Sequence, residues 1–250
     1  MTEHEFTNTI IDIIEVELKI DGKELLQISP LLEYINIKTR SANRGSKSRG
    51  SFANLYAIYV LVEDYIKIVF DKKQDYGKYA GAVFSDLFER QRQLPFGEKL
   101  QNHALNHRLN EEFHKYFPTV QEPVIIRDIS TSRYWININL LKIKIAGKIY
   151  DISKTIIKII NAYINAKKNA FEKFINSCEE LQKISSTDSE KIFSFLSNLL
   201  EPNVDARLFE IVSFAILKYF YWEKKIFWGY DRINLTEENL KLYKTGRTNA

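Results

Sequence analysis

Cysteine is nearly absent: Cys178 stands alone in 250 residues, which excludes an internal disulfide framework and any cysteine-rich zinc site. Glycine and proline are also scarce, at 9 and 5 residues. So few turn formers argue against a loop-rich all-β sandwich. Charge interrupts every apolar run well before the roughly 20 residues a membrane helix requires. The opening MTEHEFTNTI is polar and acidic, unlike a secretory signal. There is no internal repeat, low-complexity tract or Gly/Ser linker. What is present is a globular composition, 45% hydrophobic and 27% charged, neither disordered nor fibrous, with enough material for one large domain or two modest ones. A soluble, cytoplasmic protein is expected.

The formal charge of +4 says little, but its distribution says more. Residues 1–33 carry eight acids (Glu3, Glu5, Asp12, Glu15, Glu17, Asp21, Glu24 and Glu33) against Lys19 and Lys23. The sign then reverses: Lys38, Arg40, Arg44, Lys47 and Arg49 follow, with no acid until Glu63. A second basic stretch, from Lys142 through Lys144, Lys148, Lys154, Lys158, Lys167 and Lys168 to Lys173, is diluted by Asp151 and Glu172 and suits a solvated surface.

Periodicity predicts an α+β protein, mostly helical with a small antiparallel sheet. Two short helices are expected within 5–35 around Asp21-Gly22, then a polar loop over 38–50, KTRSANRGSKSRG. Ser51 would cap a buried helix, since SFANLYAIYVLVEDYIKIVF is apolar nearly all round. Helices are expected over 79–91 and from about Glu98 to Phe117, separated by LPFG. Strands follow at 123–128 and 133–145, where Ile136, Ile138 and Leu140 alternate with polar residues before the pattern slips at Leu140-Leu141. Gly147 turns the chain and Asp151 caps a long helix to about Lys183. Further helices are expected over 188–200, 205–221 and after Thr236, with a strand at 225–231.

Two segments have the chemistry of a polyanion site. In the loop, Arg40, Ser41, Asn43, Arg44, Ser46, Lys47, Ser48 and Arg49 combine bidentate guanidinium forks, hydroxyl and amide donors, and glycines that let backbone N–H groups approach phosphate. The plainer alternative is a solvated loop. In the second, RQRQLPFGEKLQNHALNHRLNEEFH, the stripe Leu105, Leu109, Phe113 and Tyr116 should face the core. His103, Asn106, His107, Asn110 and His114 fall on the other side, near Arg92, Lys99, Gln101, Asn102 and Arg108. Amides pair bidentately with adenine and arginine with guanine, whereas an ordinary solvent face favours Glu and Lys. Arg133, beside Tyr134 and Trp135, adds a third candidate for stacking or phosphate contact, although core packing is commoner for Trp.

Catalytic patterns are sparser. His103, His107, Glu111 and His114 lie near one helix face, but no HExxH accompanies them. Arg108 and His114 satisfy the short Arg-x(4–6)-His pattern of HEPN-type ribonucleases, which cleave RNA without metal. Asp205 with Glu223-Lys224-Lys225 has the letters of a metal-dependent nuclease. The helix between them would hold the ends roughly 25 Å apart at 1.5 Å per residue, too far for one centre.

The segments SANRGSKSRGSFANLYAIYVLVEDY, LPFGEKLQNHALNHRLNEEF and DARLFEIVSFAILKYFY resemble the N-terminal and middle parts of a group of type II restriction endonucleases, and the resemblance covers most of residues 35–250. It implies that the helix at 205–221 and the strand at 225–231 open a nuclease core of the PD-(D/E)XK type. Its metal-binding acids would follow a stretch resembling YKTGRTNA. It also implies Mg²⁺-dependent hydrolysis of double-stranded DNA by the whole enzyme, with residues 1–250 binding DNA without cutting it. Glu210 matches an acidic position that can assist metal or water. On this expectation residues 1–202 form a DNA-recognition domain and 203–250 begin the nuclease core. A palindromic site would call for a homodimer. The rivals are a HEPN-like ribonuclease and a non-catalytic nucleic-acid-binding regulator.

Overall fold

The computed structural model describes residues 3–41, 48–181 and 188–199. The chain divides into two compact units, one of residues 1–43 and 47–173, the other of 44–46 and 174–250. The expected nuclease-core elements after residue 203 lie outside the described residues.

The first unit begins with three helices, α1 (Glu3–Leu18), α2 (Gly22–Ile28) and α3 (Pro30–Ser41). Asp21 caps α2, its carboxylate accepting from the N–H groups of Lys23 and Glu24 at 2.8 and 2.9 Å. Proline opens α3, where a missing N–H costs nothing. The helix then runs on through Ser41, so the polar loop expected over 38–50 is shorter than its composition implied: Lys38, Arg40 and Ser41 are helical.

The next helix, α4 (Ser48–Ile66), starts three residues before the expected cap, and Ser51 is buried inside it. Its apolar residues lie nearly all round because neighbours lie nearly all round. It packs on α3, on α5 (Phe84–Gln93) and on the sheet, and Leu55 through Val62 are buried without a break. A π-helical turn, Lys67–Asp71, extends it. The expected helix over 79–91 forms only from Phe84, after the short strand β1 (Ala82–Val83).

β1 joins β2 (Ile125–Asp128) and β3 (Arg133–Ile136) in an antiparallel sheet of order β1-β3-β2, with Ile125 opposite Ile136 and Asp128 opposite Arg133. Tyr134 and Ile136 are buried while Arg133 and Trp135 are half-buried, the alternation expected of a strand with one covered face. The run expected as one strand to residue 145 breaks into β3, a 3₁₀ turn at Ile138–Leu140, and β4 (Lys142–Ile145). β4 pairs with β5 (Lys148–Asp151) across Ala146-Gly147, both at positive φ. That geometry suits the right-handed twist of a two-residue hairpin. Asp151 ends β5 and starts the next helix, its Oδ1 accepting from Ser153 N–H at 3.0 Å and its Oδ2 from the Tyr65 hydroxyl at 2.7 Å.

That helix, α7 (Ser153–Leu181), buries Ile156, Ile159, Ile160, Tyr163 and Ile164 against the first unit's core. In the second unit the described residues are the end of α7 and α8 (Ser189–Leu199), whose first turn is capped by Asp188 accepting from Lys191 N–H. Mixed helix and small antiparallel sheets, mostly helical, place the chain in the α+β class. Among the described residues no helix is long and apolar enough to cross a membrane.

Candidate nucleic-acid interface

The segment from Glu98 to Phe117 is not one continuous α-helix. A turn leads into a π-helical stretch, Ala104–Arg108, which passes into α6 (Leu109–Tyr116). Wide turns of this kind are rare and recur at functional sites. Leu105, Leu109 and Phe113 are fully buried, as their spacing requires, whereas Tyr116 is half exposed at the helix end. Gln101, His103, His107 and Arg108 face solvent, with Asn102 and Asn106 half-buried beside them. The rings of His103 and His107 stand 6.2 Å apart, and the Asn106 side chain makes no hydrogen bond within the described residues.

Arg108 is held from below. Its guanidinium lies 4.0 Å from the Glu112 carboxylate, one helical turn on, and its side chain stays 57% exposed. Glu112 gathers two further partners from distant elements. Lys38 of α3 forms an ion pair with Oε1 while only 3% exposed, and Asn54 of α4 donates to Oε2. The second Asn54 amide hydrogen goes to the Tyr34 hydroxyl at 3.0 Å. The Lys38 ammonium also lies over the rings of Tyr34 and Tyr116, at 5.1 and 4.9 Å. Burial, followed by the charge on Glu112, pushes the Tyr34 hydroxyl well above the usual phenol range. Two cations thus share one carboxylate, and only Arg108 can offer its charge outward.

The basic segment ends beside it. Gly50, in the first turn of α4, lies so close to Arg108 that a methyl group there would stand 3.5 Å from Nη2. The C-terminal end of the cation-rich segment and the amide-and-imidazole helix therefore meet at one place.

The remaining predicted residues are dispersed. Asn43, Arg44, Ser46 and Lys47 lie outside the described residues, and no side-chain statement attaches to Ser41, Ser48 or Arg49. Arg40 pairs with Glu33 on its own helix at 3.0 Å. Asn110 is removed from the base-reading set: its amide exchanges two hydrogen bonds with the Ile125 backbone. Arg92, exposed, donates to Glu98 O at 2.8 Å and lies over Phe88, while Lys99 is free in solvent. Arg133 belongs to another cluster, donating to Gly81 O at 3.1 Å and bordering a cavity against α4. His114, the second half of the ribonuclease pattern, turns its Nε2 to Glu122 O at 3.3 Å. Glu210 lies outside the described residues.

Sequence reasoning missed Glu112 and Asn54. The signals were available: Glu112 is four residues from Arg108, and Asn54 is a polar interruption in an otherwise apolar helix. Among the described residues no three His, Cys, Asp or Glu side chains come together as a metal site. No protein-family model matches the chain, and no curated protein or solved structure matches it.

Proposed function

We propose that this chain recognises double-stranded DNA as part of a type II restriction endonuclease. The observation that carries the reading is the juxtaposition of Arg108 with Gly50, which joins a basic segment to a helix face of amides and imidazoles. Phosphate contacts from Arg44, Lys47 and Arg49 would set the register on the duplex. Gln101, Asn102, His103, Asn106, His107 and Arg108 would meet base edges. Glu112 supports the reading by fixing the guanidinium without burying it, as an arginine that addresses guanine requires. Hydrolysis with Mg²⁺ belongs in this reading to the whole enzyme, and no cleavage step is assigned to the described residues. A homodimer would fit a palindromic site, and a cytoplasmic location would fit an enzyme acting on incoming DNA.

Selection from a pool of random duplexes, followed by anisotropy titration of the selected and an unrelated sequence, tests this. Affinity should fall steeply with added salt. Arg44→Ala should weaken both duplexes alike and lower the salt slope by about one, while Asn106→Ala and Arg108→Ala should narrow the gap between them. Failure to enrich any sequence, or a flat salt response, overturns the reading.

A further inference from the structure

A cavity of about 500 Å³ opens between α4, the π-helical turn that follows it, and the β1–α5 junction. Its apolar walls are Val60, Ile68, Val83 and Leu87. Its polar groups are unevenly matched. Arg90 is neutralised by Glu63, which it grips through Nε and Nη2 at 2.8 Å each. Lys67 and Lys72 are exposed at the rim, and neither ammonium makes an ion pair within the described residues. Arg133 has only a carbonyl partner, Gly81 O. Against these three cations stand Asp86, at the exposed edge, and Asp64.

Asp64 is the unusual group. Its Oδ1 accepts from the Tyr79 hydroxyl at 3.1 Å, whereas its Oδ2 is shut from solvent and has no hydrogen-bond partner. A buried carboxylate oxygen without a donor is costly and calls for an explanation. Burial pushes the Asp64 carboxyl above the usual carboxylate range, with Tyr79, Lys67 and Lys72 only partly offsetting it. A ligand that brings N–H donors to Oδ2 would relieve that cost.

We propose that this cavity binds a nucleoside monophosphate unit, its base between the apolar walls with an amine edge on Asp64 and its phosphate on Lys67, Lys72 and Arg133. The volume suits such a ligand and leaves a free amino acid mostly surrounded by water. Three unpaired cations call for more negative charge than a single carboxylate supplies. A carboxylate accepts from bases that present an exocyclic amine and meets only one donor between two carbonyls on uracil. The unit has two sources, a free nucleotide or a nucleotide turned out of a strand, and the proposal stands apart from the duplex reading above.

Calorimetric titration of the chain with the four ribonucleoside 5′-monophosphates, and with the parent nucleosides, decides it. The amine-bearing bases should bind about tenfold or more tighter than UMP, and removal of the phosphate should weaken binding by a similar factor. Asp64→Asn should erase the preference against UMP, and the surface change Lys72→Gln should narrow the gap between nucleotide and nucleoside, which keeps the proposal testable if the first variant unfolds. Displacement of a labelled oligonucleotide by the preferred mononucleotide assigns the site to a strand, and binding without displacement assigns it to the free nucleotide. No heat with any mononucleotide together with no displacement of the oligonucleotide overturns the proposal. Equal affinity for all four bases, or a preference unchanged in Asp64→Asn, does so as well.

Discussion

The Asn110 side chain and the Ile125 backbone exchange two hydrogen bonds, Nδ2 donating to the carbonyl at 2.8 Å and Ile125 N–H donating to Oδ1 at 2.9 Å. The amide thus acts as a strand neighbour, completing the edge of β2 from the side of α6. Ile125 is itself buried, so neither backbone group has water to fall back on. Asn110→Leu keeps the volume and loses both bonds. It should cost about 2–4 kcal/mol in urea denaturation, the price of two stranded backbone groups. A loss below about 1 kcal/mol, inside the usual range of surface substitutions and their neighbours, would show that the edge is satisfied another way.

Lys38 and Glu112 should respond unequally to removal of the partner. Glu112→Gln strands a buried ammonium between two tyrosine rings and should destabilise by about 3 kcal/mol. Lys38→Met leaves Glu112 with Asn54 and Arg108, so its cost should stay near 1 kcal/mol, the scale of a single net hydrogen bond. Equal losses in chemical denaturation would contradict this order.

Asp64 gives stability a definite pH dependence. Its native carboxyl titrates above the ordinary value of about 4 that the unfolded chain keeps. Between the two values the native state holds more of the proton, so its contribution is full below the unfolded value and declines as pH rises through the native one. Asp64→Asn should remove that decline and gain on wild type as pH is raised, in melts followed by circular dichroism. Asp128 runs the other way: hydrogen bonds from Ser130 and Thr131 hold its carboxyl below the usual range, so what it contributes is lost as pH falls. A pH profile identical in wild type and Asp64→Asn would contradict the assignment.

Two glycines should part company when replaced by alanine. Gly50 lies in the first turn of α4 with room for a methyl group, so Gly50→Ala should be neutral or stabilise by up to about 1 kcal/mol. Gly81 has φ +90°, and a Cβ there would stand 2.7 Å from the Trp135 ring. Gly81→Ala should cost about 2 kcal/mol or more, from left-handed strain plus the clash. Thermal melts of the pair check both signs.

Much of the helical frame was readable because its cause is local. An all-round apolar segment announces α4, Asp21 and Asp188 announce their caps, and the spacing of Leu105, Leu109 and Phe113 announces a buried stripe. What escaped is what depends on distant partners. Lys38 and Arg40 read as free cations, yet one is neutralised by Glu112 74 residues away and the other by Glu33. Asn110 reads as a base reader until Ile125 is placed beside it. The strand β5 escaped because KIYD is short and runs straight into a helix-capping Asp. The break between β3 and β4 announced itself only as a slip in alternation at Leu140-Leu141. Of the candidate interface, the exposed face was legible, but the carboxylate beneath it was not.

Ala104 and Phe113 are both buried, though nine residues separate them. At about 3.6 residues per turn that interval is two and a half revolutions, which would aim one of the two away from the protein. The π-helical stretch absorbs the mismatch, so Ala104–Arg108 acts as a phase shifter between the two ends of the segment. One residue fewer there would re-clock everything on its far side, and the arginine would swing away from the glycine it now adjoins.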